Sequence, residues 1–177
     1  MSLKRLHLGA AVLIALNLIA CSDGESSKVT APRQRSAPTV AGRSVAASHA
    51  VGRDADLNWG PAPAIFPAGA QLAVVDGDPG AAGEVFTVRL LFPSGYILPP
   101  HTHPKEEYVT VLRGTFLAGM GENFSEDALI ALQMDDFMTM PKDAAHFAAT
   151  RGLTEVQVHG ISPFQLTYVH PEDDPSK

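Results

Sequence analysis

The twenty residues from Gly95 to Gly114, Gly-Tyr-Ile-Leu-Pro-Pro-His-Thr-His-Pro-Lys-Glu-Glu-Tyr-Val-Thr-Val-Leu-Arg-Gly, constrain this chain more than any other stretch. Side chains of an extended backbone alternate between two faces, so His101 and His103 project from the same side of a sheet. Glu107 keeps that parity four positions later. If the chain turns only gently through Pro104, two ring nitrogens and a carboxylate oxygen converge on one point, a donor set suited to first-row transition metals. Pro99 and Pro100 fix the backbone just before His101 and donate no hydrogen bond, which places them at an edge or rim. A lone surface His-x-His pair would be an accident of sequence; a fourth donor is what makes the pattern chemical. It occurs at His146, in Met140-Pro141-Lys142-Asp143-Ala144-Ala145-His146, where the proline and a short polar turn deliver the histidine to the start of a new strand.

With these residues in place the chain resembles the cupins. The first cupin motif is Gly, five residues, His, one, His, three, Glu, six, Gly, and Gly95, His101, His103, Glu107 and Gly114 satisfy every interval. In the second motif Pro141 and His146 fit, while Asp135 and Asp143 stand at two glycine positions and Thr150 at an asparagine. These departures fall in turns and at a position that is not a metal ligand. The resemblance runs from about Leu57 to His170. It implies an all-β fold, a single antiparallel jelly-roll barrel. It also implies one divalent ion, Fe, Mn, Zn, Cu or Ni, held by His101, His103, Glu107 and His146.

The rest of the chain agrees with a barrel. Short segments rich in β-branched and aromatic residues recur between turn clusters: Gln71 to Val75, Glu84 to Phe92, Glu107 to Leu112, Thr115 to Met120, Phe137 to Met140, His146 to Ala149, Thr154 to His159 and Phe164 to Val169. Arg113-Gly114 reads as a turn. Glu84 to Phe92 is apolar on both faces and so is expected to be buried on two sides. Asp127 to Met134 fits a helical turn or a strand equally well. Phe164, Leu166 and Tyr168 alternate on the last segment, as core residues or as the stripe of a homodimer interface. Met120, Met138 and Met140 read as core residues, and Tyr108 as packing on the outer face.

Ahead of this domain lies a different kind of sequence. Lys4 and Arg5 precede an apolar run from Leu8 to Ala20 that is too short to span a bilayer, the pattern of a secretory signal. It ends in Leu18-Ile19-Ala20-Cys21, which resembles the lipobox of bacterial lipoproteins and implies lipidation of Cys21. Cys21 is also the only cysteine, so no intramolecular disulfide can form. Residues 21–55 are poor in large apolar side chains and read as a disordered tether. The expected organisation is therefore a signal peptide over 1–20, a lipidated cysteine and flexible linker over 21–55, a barrel over 56–171 and a polar tail over 172–177. The expected location is the bacterial cell envelope, with the lipid anchor in the outer membrane and the domain facing the periplasm. Ser22, rather than an aspartate, after the cysteine favours that outer-membrane destination. The net charge is −6 and no basic block is dense enough for nucleic-acid binding.

A three-His, one-Glu site leaves positions of an octahedral ion open for water or a small-molecule ligand, unlike a closed structural zinc site. Two functions follow. One is a metal-dependent dioxygenase acting on a small carbonyl or enol compound, as in the small cupins that cleave diketones. The other is a metal- or ligand-sensing module without catalysis. Gln157 and His159 alternate on one strand and could place a hydrogen bond behind the ligands or serve as acid–base groups, unless Val156 and Val158 take the inward face. Lys4-Arg5 is not a twin-arginine pair, so the chain is expected to cross the membrane unfolded and to load its metal outside the cytosol. There the affinity order favours Cu²⁺ and Zn²⁺ over Fe²⁺ and Mn²⁺.

Overall fold

The computed structural model describes residues 51–177. The signal segment, Cys21 and the linker up to residue 50 lie outside the described residues. Nine strands follow a short 3₁₀ turn at Asp54–Asp56: β1 (Gly60–Pro61), β2 (Gln71–Asp76), β3 (Val85–Phe92), β4 (Ile97–Thr102), β5 (Glu107–Met120), β6 (Ile130–Leu132), β7 (Phe137–Met140), β8 (His146–Ile161) and β9 (Thr167–Tyr168). Every pairing is antiparallel.

Two long strands organise the rest. β5 and β8 pair from Glu107 opposite Gly160 to Met120 opposite His146. The other edge of β8 is shared, its second half pairing with β3 and its first half with β4. One ladder serving two neighbours in this way must curl, and the irregularities that let it do so sit at Val111/Arg113 and Arg113/Thr115. The turn expected at Arg113-Gly114 is therefore a bulge inside a continuous strand. Gly114 has φ +80°, and a Cβ there would lie 2.5 Å from the Leu153 carbonyl, so neither the conformation nor the space admits a side chain. The segments expected at 146–149 and 154–159 are likewise one strand.

The concave face of the sheet holds the core. Phe86, Val88, Leu90 and Phe92 of β3, Val109 and Val111 of β5, and Val156 and Val158 of β8 are all buried. β3 is not buried on two sides: Val85 is exposed, and Thr87, Arg89 and Leu91 are half-buried. The reason is charge, because Arg89 on the outer face pairs with Glu155 at 3.2 Å and Asp54 at 2.6 Å. The ambiguous segment after residue 126 is both things in succession, a 3₁₀ turn at Glu126–Ala128 and then β6. Of the last segment only Thr167–Tyr168 is a strand. Tyr168 is buried, and Phe164 and Leu166 are half-buried and packed against the core. Met140 is buried and Met138 packs against the core, whereas Met120 is exposed.

The three departures in the second motif are accommodated without loss of loop shape. Asp135 and Asp143 adopt φ +73° and +60°, the left-handed conformation glycine would take, which aspartate tolerates better than most residues. The Asp135 amide then donates to the Val111 carbonyl and the Asp143 amide to the His103 carbonyl. Thr150 donates its hydroxyl to the Pro93 carbonyl at 2.6 Å and accepts from the Tyr96 amide at 3.1 Å, which fixes the turn that feeds β4. Asp135 thus carries a conformational cost that a β-branched residue would raise. Asp135→Val is expected to lower unfolding free energy by about 1–2 kcal/mol, while Asp135→Gly is tolerated. Urea melts giving equal midpoints for the two variants would contradict this.

Candidate metal centre

His101 lies near the end of β4 directly opposite His146, the first residue of β8, and His103 sits one residue beyond β4. Glu107 opens β5 from the far side of the turn through Pro104. The even spacing of 101, 103 and 107 therefore does place all three on the interior, and the curl of the sheet brings His146 to meet them. The three histidines are only 2–4 % exposed. Their rings are close, with centroids 4.2 Å apart for His101 and His146, 5.0 Å for His101 and His103, and 5.1 Å for His103 and His146.

The tautomers follow from the partners. A carbonyl can only accept, so each Nδ1 in contact with one must carry the proton. His101 Nδ1 donates to the Pro99 carbonyl at 2.7 Å, His103 Nδ1 to that of Gln165 at 2.6 Å, and His146 Nδ1 to that of Ala144 at 2.9 Å. In each ring Nε2 is therefore the nitrogen that bears the lone pair when the imidazole is neutral. The three ligand atoms lie within 4.8 Å of one another. Two of them, Nε2 of His103 and of His146, are buried with no hydrogen-bond partner. Such an orphan costs about 1–3 kcal/mol, and a shared cation removes that cost at both.

Glu107 completes the picture. Its Oε2 lies 3.5 Å from His103 Nε2 and 3.7 Å from His146 Nε2, too far for a good hydrogen bond to either. Two ligand atoms each ~2.1 Å from a common ion are about 3.0–3.4 Å apart at right-angle or tetrahedral geometry, so these spacings fit co-ligands better than mutual partners. Burial pushes the Glu107 carboxyl up, but the neighbouring His146, His103 and His101 outweigh it and hold the group below its ordinary value. Burial likewise pushes His101 down to about 3, helped by His146 and His103 and opposed by the Pro99 carbonyl and Glu107. A deprotonated carboxylate beside the neutral His101 imidazole is a pairing that a divalent ion requires. The buried His101, His103 and His146 triad could hold a metal ion.

The cavity that these residues face is small, about 30 Å³, and its other walls are apolar, among them Leu90, Val109, Met138 and Val156. Gln157 and His159 do not contribute. They have the opposite parity to the buried Val156 and Val158 and lie on the outer face, where Gln157 contacts Arg89 and His159 stacks on Tyr108 at 5.0 Å. Reading them as groups behind the ligands is corrected by that parity. The groups that do stand behind the ligands are backbone carbonyls. For His101 and His146 the acceptor is the carbonyl two residues earlier, a local relation that sequence could have suggested; for His103 it is Gln165, 62 residues away, which no local pattern reveals. Phe164, whose ring lies nearly parallel to His103 at 5.5 Å and 18°, was legible only as a core or interface residue, not as a neighbour of the histidines.

No family model and no curated protein matches the sequence. Solved structures do. The polyketide cyclase RemF from Streptomyces resistomycificus is similar with a TM-score of 0.60 at 14% identity, covering 73% of this chain and 91% of that one. A putative acetylacetone dioxygenase from Methylibium petroleiphilum PM1 is similar with a TM-score of 0.56 at 17% identity, over 73% and 86% of the two chains. An RmlC-like cupin from Shewanella frigidimarina reaches 0.51 at 14% identity, over 64% and 91%. At these identities the likeness is one of fold, and residues 51–177 form an all-β, antiparallel curled sheet, a cupin-like half-barrel.

Proposed function

We propose that the protein is a metal-dependent cupin enzyme of the oxygenase type, in which His101, His103, Glu107 and His146 bind one divalent metal and a small carbonyl or enol compound is the substrate. The observation that carries this reading is the pair of buried Nε2 atoms without partners, aimed with a third Nε2 and a carboxylate at one point. When bound, the metal would supply Lewis acidity, and redox chemistry with dioxygen if it is iron. The chain's own residues do the rest. Three backbone carbonyls lock the imidazoles in the tautomer that presents Nε2, and the apolar walls keep bulk water from the reacting centre. Among the described residues Glu107 is the one carboxylate lining the cavity. A site whose single carboxylate would itself hold the metal suits a substrate that ionises easily, such as an enol or a β-diketone, better than one that needs a separate acid and base.

A second reading, a metal- or ligand-sensing module, is favoured by the cavity's size, since about 30 Å³ admits roughly one water molecule. The two are separated by chemistry. Protein reconstituted with iron should consume oxygen when given β-diketones or enols. Stoichiometric metal with no uptake across such a panel leaves the sensing module.

Metal content tests the site itself. The wild-type protein is expected to hold one ion per chain, and the His101→Ala/His146→Ala variant to bind at least ~100-fold more weakly, since even partners behind the ligands are worth 10–100-fold. Elemental analysis finding equal metal in both would remove the assignment.

We further propose that Cys21 anchors the protein by lipid to the bacterial envelope, in the outer membrane with the barrel facing the periplasm, on the strength of the Leu18-Ile19-Ala20-Cys21 sequence. Cys21→Ala should abolish incorporation of labelled palmitate and membrane association. Fractionation showing the variant still membrane-bound and labelled would count against the anchor.

A further inference from the structure

A second cavity lies against the first. It has a volume of about 210 Å³ and is formed by residues including Ile65, Leu72, Pro79 and Gln165, together with Phe66, Phe164 and Leu166. Those last three also line the cavity that faces the histidines. The two spaces are thus opposite sides of one thin wall, an inner one with room for a water and an outer one with room for a small organic molecule.

The wall is built to different standards on its two sides. Phe66 belongs to a loop held by two buried phenols, Tyr168 donating to the Ile65 carbonyl at 2.7 Å and Tyr96 to the Pro67 carbonyl at 2.7 Å. Phe164 is held by its own amide on the Pro79 carbonyl at 2.7 Å, while its ring is only half-buried, resting on His103 and, at 5.2 Å, on Phe86. Half-buried and anchored through its backbone, this ring can move by giving up its contacts with His103, Phe86 and Phe66, whereas the loop is pinned by two hydrogen bonds. A crevice beside Lys105 and Glu106 also approaches His103 and Glu107, but it is narrower, about 10 Å³.

We propose that the outer cleft is the entry chamber for a small, uncharged, largely apolar organic ligand on its way to the metal centre, and that Phe164 is the partition that decides which ligands pass. The inference rests on the metal reading above and adds to it the route and the ligand class. Among the described residues no charged side chain lines the cleft, so an ionic ligand would lose hydration there without return, while an apolar body gains. Gln165, next to Phe164, supplies the carbonyl that orients His103, so the partition and a metal ligand are joined by a 2.6 Å hydrogen bond.

The test uses the protein loaded with Co²⁺, with visible absorption reporting ligand binding, and two neutral probes, pyridine and 4-phenylpyridine. Phe164→Ala joins the two cavities and should speed binding of 4-phenylpyridine by about tenfold or more, the range over which association rates vary among variants of one site. Leu72→Trp fills the outer cleft from a residue that does not line the inner one, and should slow pyridine by a similar factor. Cobalt stoichiometry should be unchanged in both, which a Phe164 that merely supports His103 would not allow. Circular dichroism checks that each variant folds, and Leu72→Trp decides alone if Phe164→Ala does not. If cobalt is taken up but neither substitution alters the probe rates, the entry route is wrong. Failure of the wild-type protein to take up cobalt shows before any probe is added and overturns the metal reading, and the entry route with it.

Discussion

Three hydrogen bonds from imidazole Nδ1–H groups to backbone carbonyls carry the logic of this structure. Each is a short contact of 2.6–2.9 Å inside an apolar interior, where such bonds are strong and their geometry stiff. Each also turns a titratable side chain into a fixed donor of one lone pair. The acceptors come from three places, the bulged approach to His101, the loop before β8 and the segment after it. Displacing any of these would rotate a ring, so the barrel's loops and strands are all held to the tolerance of the site.

The two long strands explain how such distant pieces meet. In a flat ladder, Glu107 at the start of β5 and His146 at the start of β8 would stand at opposite ends, since Glu107 pairs with Gly160 and His146 with Met120. The bulges around Arg113 and Gly114 add twist midway, and the sheet wraps until the two ends face each other across the interior. Glycine at residue 114 is thus a requirement of the site as much as of the strand. It permits the close approach of Leu153 and Thr154 that a side chain would block.

Much of this was legible in the sequence, and for a definite reason. Strand parity is a local property, so the common orientation of His101, His103 and Glu107 followed from counting, and His146 followed from a proline-led turn placed where a strand begins. The same counting assigns Gln157 and His159 to the outer face once Val156 and Val158 are known to point inward. What counting cannot supply is whether a glycine ends a strand or bulges it. Arg113-Gly114 has the composition of a turn, and only the unbroken pairing with β8 shows the strand continuing. The burial of β3 was misjudged for a related reason: its outer face is apolar in composition at Val85 and Leu91, but Arg89 recruits Glu155 and Asp54 from elsewhere in the chain and keeps that face wet. Asp135 and Asp143 show the converse, where a residue change that looks disruptive leaves the backbone in the glycine-like conformation.

The interior carries a tension that bears on function. A metal centre that reacts with organic compounds must admit them, yet the space beside these histidines holds little more than a water. Enlarging the cavity permanently would cost packing energy and hydrate the imidazoles, weakening both the fold and the electrostatics of the site. A small inner chamber with a larger apolar chamber behind a wall that includes the movable Phe164 ring would avoid that cost, because the ligand's own burial can replace the contacts the ring gives up. On the entry route proposed above, such an arrangement would select by the energy of opening as well as by fit, and ligands with too little apolar surface to offset the displaced ring would be excluded before they reached the metal.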